Sequence, residues 1–512
     1  MMARRPTALR ALFRQRRWLP VALAVLAGAG YVALSALGDG PGFPLDDGWI
    51  HQTYARNLAQ SGRWEYAPGV ASNGSTSPLW TLLLSAGYLA GIPYLLWTFL
   101  LGVLCLAGLA LAADSLWRAL WPAGEGQAWS VATVLVLTWP LIWAAVSGME
   151  TALFLALAVL ILALFLHNPE RSAFWLGVLV GLLVLTRPEG VLLAGSLAAA
   201  YLLRQDWRSL VRYALGAGLL FVPYFAFNLW LGGELWPNTF YAKQAEYETL
   251  LETPVALRFL QLLFFSLGGP AEGWRGMSGA HLLLAPGLLV AGWHALQQDW
   301  DRHRLYTTLP LLWALSHIAV YAWRLPVTYQ HGRYLWAALP VWILYGLAGW
   351  QKIVAHRLLR GRSGRILRRA TTPVFVIILG FFLLLGANAY ATDVAFIENE
   401  MVDVALWLRE NTAPQAAVAA HDIGAIGYFS ERSLLDLAGL ISPEIIPFLH
   451  DEAEMTNYVL QSRADYLVTA PGWPYELLTA EADVVLVYDT DYTWTREAGM
   501  NNMAVYRLPD AP

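Results

Sequence analysis

Charge is what this chain has least of: only 14% of its 512 residues are Asp, Glu, Lys or Arg, whereas 57% are hydrophobic. Together with a mean hydropathy of +0.46, that excludes a soluble domain of this size. Cysteine is nearly missing. Cys105 stands alone inside an apolar run, so no internal disulfide can form and redox chemistry is not expected. The chain has no P-loop, no Gly-x-Gly-x-x-Gly, no Ser nucleophile elbow and no His-Glu-x-x-His, which argues against an energised transporter and the common hydrolases. Internal repeats and low-complexity tracts are absent too. The net charge of −4 says nothing about partners, and no nucleic-acid partner is expected.

What is present is a series of apolar runs. A first one at about 18–37 follows Arg4, Arg5, Arg10, Arg14, Arg16 and Arg17 and lacks a small-x-small cleavage site, so it reads as an uncleaved first helix. Further runs of near-spanning length fall at about 94–115, 128–146, 150–166, 173–186, 188–203, 214–231, 279–296, 305–322, 335–350 and 372–390. The expectation is a polytopic α-helical membrane protein of about eleven transmembrane helices. Its Arg clusters (the N-terminus, Arg204/Arg208/Arg212, Arg302/Arg304, Lys352 to Arg369) all fall on the cytoplasmic side by the positive-inside rule. That parity requires the short apolar pieces 79–91 and 255–268 not to cross. The cytoplasmic membrane is the expected location, with the N-terminus inside.

The polar residues are then concentrated on the outer face. In a first outer loop of about 39–93, Asp46 and Asp47 adjoin the first helix, where a charge at mid-bilayer costs roughly 2.5–3.5 kcal/mol. They either cap a helix starting near Gly48 or do chemistry. On that helix Asp47, His51 and Tyr54 share a face, with Arg56 on another. Such a set suits general-base work or a divalent cation (Mg, Mn or Ca), with Asp47 as ligand. Arg187 and Glu189 flank Pro188 at a helix junction, either stapling two helices or, through the guanidinium, binding an anion. Glu150 complements a helix dipole or joins the site. Asn238, Tyr241, Lys243, His331 and Arg333 complete the outer-face set, the cations being either interfacial anchors or phosphate ligands.

After about residue 391 the composition becomes that of a soluble α/β domain (391–512), following a membrane module (1–390). It is outside by parity. Strands are expected at 416–420, 433–437, 466–469 and 484–488, and His421-Asp422-Ile-Gly424 reads first as turn chemistry.

Outward-facing carboxylates beside outward-facing Arg and Lys at membrane depth suit a lipid-phosphate-linked donor, with cations on its phosphate and a carboxylate deprotonating an acceptor hydroxyl. The ordered set Leu45-Asp46-Asp47, Tyr54-Ala-Arg56-Asn57-Leu58, Thr76-Ser-Pro-Leu-Trp80, Ser147-Gly-Met-Glu-Thr151, Thr186-Arg-Pro-Glu-Gly190, Pro237-Asn-Thr-Phe-Tyr-Ala-Lys243 and Gly332-Arg-Tyr334 resembles GT-C fold membrane glycosyltransferases. The likeness is greatest to bacterial arabinofuranosyltransferase-like proteins, and the tail pieces Asp422 to Tyr428 and Asp436 to Pro443 extend it. The resemblance implies inverting transfer from a polyprenyl-phosphate sugar to a glycan, lipid-linked or protein acceptor. Asp46 would be the base, Asp47 would assist or bind a cation, and Arg56, Arg187, Lys243 and Arg333 would serve the donor phosphate. Asn73 and Ser75 depart from the acidic residue and Tyr such proteins often carry there, so no third carboxylate stands ready for a metal. A lipid-linked-sugar flippase and a non-catalytic glycan-binding scaffold are the rival expectations.

Overall fold

The computed structural model describes residues 16–67, 69–268, 280–297, 302–356 and 361–509. Arg4, Arg5, Arg10, Arg14, Arg357, Arg360 and the start of the apolar run 279–296 lie outside them.

The chain is a helical membrane protein. Its long helices Trp18–Ala36, Tyr94–Leu120, Trp207–Gly232 and Arg362–Phe396 turn leucine, valine and isoleucine outward. Leu26, Leu215, Val222, Ile377 and Leu384 are each more than 60% exposed, a surface suited only to hydrocarbon. Within the bundle, small residues bring helices close. An added Cβ at Gly177 would stand 2.1 Å from the Tyr213 carbonyl, and one at Gly216 would stand 2.1 Å from that of Phe174. These close approaches join Ala173–Thr186 to Trp207–Gly232.

Among the described residues, four helices are long and apolar enough to span by length and composition, or five if the bent pair Ala128–Val136 and Trp139–Ala145 is one span. The gap from about eleven has a physical origin. The runs at 150–166, 173–186 and 188–203 fold as helices of 14 to 17 residues, roughly 21–26 Å at 1.5 Å per residue, and polar junctions at Glu150 and Arg187-Pro188-Glu189 stop them. The run at 128–146 bends by 65° because Thr138 is extended and Pro140 opens a new helix.

The first loop is compact. Asp47–Ser61 is helical and stops at Gly62, whose φ of 69° closes the last turn. Asn57 Nδ2 donates to the Glu65 and Tyr66 carbonyls (3.1 and 2.8 Å), holding a small hairpin of β1 (Glu65–Ala67) and β2 (Val70–Ala71) on this helix. Pro78–Leu89 follows, with Pro78 at its first turn, and Trp80 Nε1 donates to the Gly148 carbonyl at 2.8 Å.

The C-terminal segment carries a five-stranded mixed sheet of order β4-β3-β5-β7-β6. Its strands are β3 (Ala417–Ala420), β4 (Ser433–Asp436), β5 (Tyr466–Thr469), β6 (Val485–Asp489) and β7 (Ala504–Arg507). Strand β3 pairs in parallel with β4 and β5, while β7 runs antiparallel between β5 and β6. Buried Glu400 fastens this sheet to the end of the long helix: Thr490 Oγ1 donates at 2.5 Å, Asn502 Nδ2 and the Met503 amide at 2.8 Å, and Thr495 also donates. The loop leaving β3 carries His421 and Asp422 toward the first outer loop. A parallel sheet of this kind forms its crevice at the carboxyl ends of its strands.

Candidate active site between the first outer loop and the C-terminal sheet

Two cavities meet at Asp47. The larger, about 350 Å³, is lined by Asp47, His51, Glu150, Arg187, Lys243 and Arg333, with an apolar flank including Leu192, Val320 and Trp323. The smaller, about 160 Å³, is lined by Asp46, Asp47, Lys243, Glu246, His421 and Asp422. Asp47 and Lys243 belong to both.

The two adjacent aspartates have different partners. Neither caps its own helix: Asp46 occupies the N-cap position without a side-chain cap bond. Instead its carboxylate accepts from the Gly424 and Ala425 amides, at 2.6 and 2.7 Å. Both oxygens of the residue that the resemblance implied as base are thus engaged with the C-terminal segment. Burial lifts its carboxyl to about 8, and the Asp422 charge adds to this while the two amide bonds oppose it. Gly424 has no room for a side chain, since a Cβ there would lie 2.0 Å from the Asp46 carbonyl oxygen.

Asp47 faces cations. Arg333 Nη2 donates to its carboxylate and Lys243 Nζ lies 3.8 Å away. Burial pushes its pKa up, yet Lys243 and Arg333 outweigh that and hold it well below the usual carboxylate range. Burial lowers the Lys243 pKa, but Asp47 more than compensates, so the ammonium stays charged.

A second ion network lines the larger cavity. Arg187 Nη1 donates to Glu150 at 2.8 Å, and its Nη2 donates to Glu189 and the Tyr321 hydroxyl, both at 3.2 Å. His51 Nε2 lies 3.2 Å from Glu150. Among the described residues, buried Arg333 Nε, His51 Nδ1 and Glu189 Oε2 meet no hydrogen-bond partner, leaving hydrogen-bonding capacity unused beside the cavity.

On the other side of Asp47, His421 lies 3.7 Å from Glu246 and bonds the Tyr475 hydroxyl at 2.8 Å. Burial disfavours the His421 cation, but Glu246 and Asp422 overcome it and raise the pKa; burial raises that of Asp422.

Other expected site residues lie elsewhere. Arg56 lines neither of the two cavities. Its Nη1 donates to the Tyr428 carbonyl at 2.7 Å and its guanidinium sits 4.4 Å from the Tyr428 ring, fixing the loop to the C-terminal segment. Tyr54 is a buried organiser, its hydroxyl bonding Ser72 Oγ at 2.6 Å and accepting from the Gly74 amide at 3.0 Å. Asn238 opens the helix Asn238–Glu246 and donates its amide to the Asn73 carbonyl at 2.8 Å, while Tyr241 packs on Phe240. Neither lines either of the two cavities described above, nor does His331.

The Asp47 carboxylate, the expected cation ligand, faces a guanidinium and an ammonium. Among the described residues no group of three or more His, Cys, Asp or Glu could hold a metal. Sequence reading missed Tyr321 and Glu246. Of these, Glu246 was accessible: Thr239, Lys243 and Glu246 recur at helical spacing on Asn238–Glu246.

The fold has solved counterparts. ArnT from Cupriavidus metallidurans, crystallised with undecaprenyl phosphate, matches at a TM-score of 0.60 over 95% of this chain and 97% of that one, with 16% identity. The oligosaccharyltransferase AglB from Archaeoglobus fulgidus, in complex with an inhibitory peptide and a dolichol-phosphate, matches at 0.58 over 88% of this chain and 69% of that one, with 14% identity. The chain thus has the GT-C fold of membrane glycosyltransferases.

In sequence, the chain is similar to a terminal β-(1→2)-arabinofuranosyltransferase of Mycobacterium tuberculosis, with 32% identity over 217 residues, covering 39% of this chain. The match spans 35% of that relative's length. A family model described as a domain of unknown function, DUF8728, matches residues 389–506.

Proposed function

We propose that this protein is a glycosyltransferase that moves a sugar from a polyprenyl-phosphate donor to an acceptor hydroxyl at the outer face of the cytoplasmic membrane, in cell-envelope glycan or glycoprotein assembly. The observation that carries this reading is the position of Asp47, at the meeting of two cavities and beside Arg333 and Lys243. The larger cavity takes the donor: cations meet its phosphate and the apolar flank meets its isoprenoid chain. The smaller cavity takes the acceptor. The module 1–390 would cross the membrane about eleven times with its N-terminus inside, and the domain 391–512 would close the site from outside.

In this mechanism Asp47, rather than Asp46, is the base. Paired with two cations it is too weak a base to act before the donor binds. A donor phosphate competing for Arg333 and Lys243 removes the charges that hold its pKa down. The acceptor hydroxyl then gives its proton to Asp47 as its oxygen attacks the anomeric carbon. The bond from that carbon to the phosphate oxygen breaks on the opposite face, inverting the centre, and polyprenyl phosphate leaves with the electron pair, stabilised by Lys243 and Arg333. Arg187 shapes the cavity wall through Glu150 and Glu189.

The test is a panel of radiolabelled polyprenyl-phosphate sugars offered to the purified protein in lipid, with release of polyprenyl phosphate scored for wild type and Asp47→Asn. Turnover by wild type that disappears in the variant is the expected outcome. Binding of donors without turnover by wild type would return the protein to a flippase or a glycan-binding scaffold.

A further inference from the structure

Arg333 is delivered to Asp47 by an unusual stretch of backbone. Gln330, His331 and Gly332 have φ values of 52°, 60° and 70°, three consecutive left-handed residues of which two carry side chains. Such a run persists only where its surroundings enforce it, and it is most informative when it sits beside a functional group. Gly332 is required twice over, by its φ and because a Cβ there would lie 2.3 Å from the Phe265 ring.

The enforcing contacts converge on His331. Its Nε2 donates to Asp393 at 2.8 Å, and the same carboxylate oxygen accepts from Trp143 Nε1 at 2.9 Å. Its ring meets Trp139 and Trp143 edge-on, at centroid distances of 5.2 and 5.8 Å. Trp336 Nε1 closes the turn by donating to the His331 carbonyl at 3.1 Å. Asp393 belongs to the helix Arg362–Phe396 and lines neither of the two main cavities.

We propose that Asp393 is a positioning residue: through His331 it locks the left-handed run 330–332 and so sets where Arg333 meets Asp47 and the donor phosphate. The phosphate part rests on the function proposed above; the lock on the backbone does not. Without the lock the run relaxes toward right-handed backbone, Arg333 is no longer held at Asp47, and an anion loses its guanidinium partner.

The experiment compares full-length wild type with Asp393→Leu, His331→Ala and His331→Gln in lipid nanodiscs. Amide hydrogen exchange over 329–335, undecaprenyl phosphate binding, and donor KM and kcat are read in each. Asp393→Leu, which removes the acceptor, and His331→Ala should speed exchange locally, and misplacement on the ångström scale should raise donor KM about 10–100-fold with kcat less affected. His331→Gln should recover most of this, because its amide nitrogen reaches as far as the imidazole Nε2 and can still donate to Asp393. Unchanged exchange at 329–335 in Asp393→Leu overturns the proposal, as does a His331→Gln no better than His331→Ala. If wild type binds no polyprenyl phosphate, the functional reading fails, while the exchange data still decide the lock.

Discussion

The two sides of Asp47 differ in what they ask of a ligand. Toward the membrane, the larger cavity brings Arg187, Arg324, Arg333 and Lys243 against Asp47, Glu150 and Glu189, with an apolar flank. Toward the C-terminal sheet, the smaller cavity brings Asp46, Asp47, Glu246 and Asp422 against Lys243 and His421. One side prefers an anion on an apolar stem; the other offers acceptors to hydroxyl donors. A single carboxylate, that of Asp47, is shared by both.

The comparison breaks most visibly at the aspartates. Asp47→Asn should lower kcat by about 10²–10⁴-fold, the range for losing a positioned base, with the fold intact by exclusion chromatography. Asp46→Asn should act on attachment of the C-terminal segment instead, showing mainly as faster proteolysis after residue 390. If the two kinetic losses prove equal, the division of labour between them is wrong.

A smaller effect is expected at Gly424, where the clash of an added methyl with Asp46 should destabilise docking by about 1–3 kcal/mol. Gly424→Ala should therefore weaken acceptor use while leaving undecaprenyl phosphate binding near wild type. Loss of both together would show that the cavities do not act separately.

Next comes pH. Because Asp46 holds its proton up to about 8 in the folded protein, the folded state binds more protons than the unfolded chain between the ordinary carboxylate range and that value. Stability from this position is therefore present at low pH and lost as pH rises toward 8. Thermal melts of wild type relative to Asp46→Asn should converge or cross in that direction. Asp47, with its pKa depressed, contributes the opposite way, and its stabilisation disappears only in strong acid. The smallest effect is expected from chelation: EDTA should leave turnover unchanged within error, since Asp47 is already paired with cations.

The sequence made part of this legible. The first-loop helix, the Arg187-Pro188-Glu189 junction and Lys243 stood out because charge in an apolar chain is conspicuous. The relative roles of Asp46 and Asp47 were not legible, since what separates them is a pair of amides nearly four hundred positions away. Arg56 looked like an anion ligand because its partner, a backbone carbonyl at Tyr428, carries no sequence signal. Strand β7 escaped notice as a short run near the end, though it joins β5 to β6. Pro140 did mark the bend in the run 128–146, and reading hydropathy alone hid it.

The clamp on Asp46 also has a consequence for biosynthesis. Its amide partners lie 378 and 379 residues downstream. A ribosome must therefore translate most of the chain, and the last segment must reach the same side of the membrane, before the first loop can take its final shape. Half-made copies hold the membrane helices without the finished pocket.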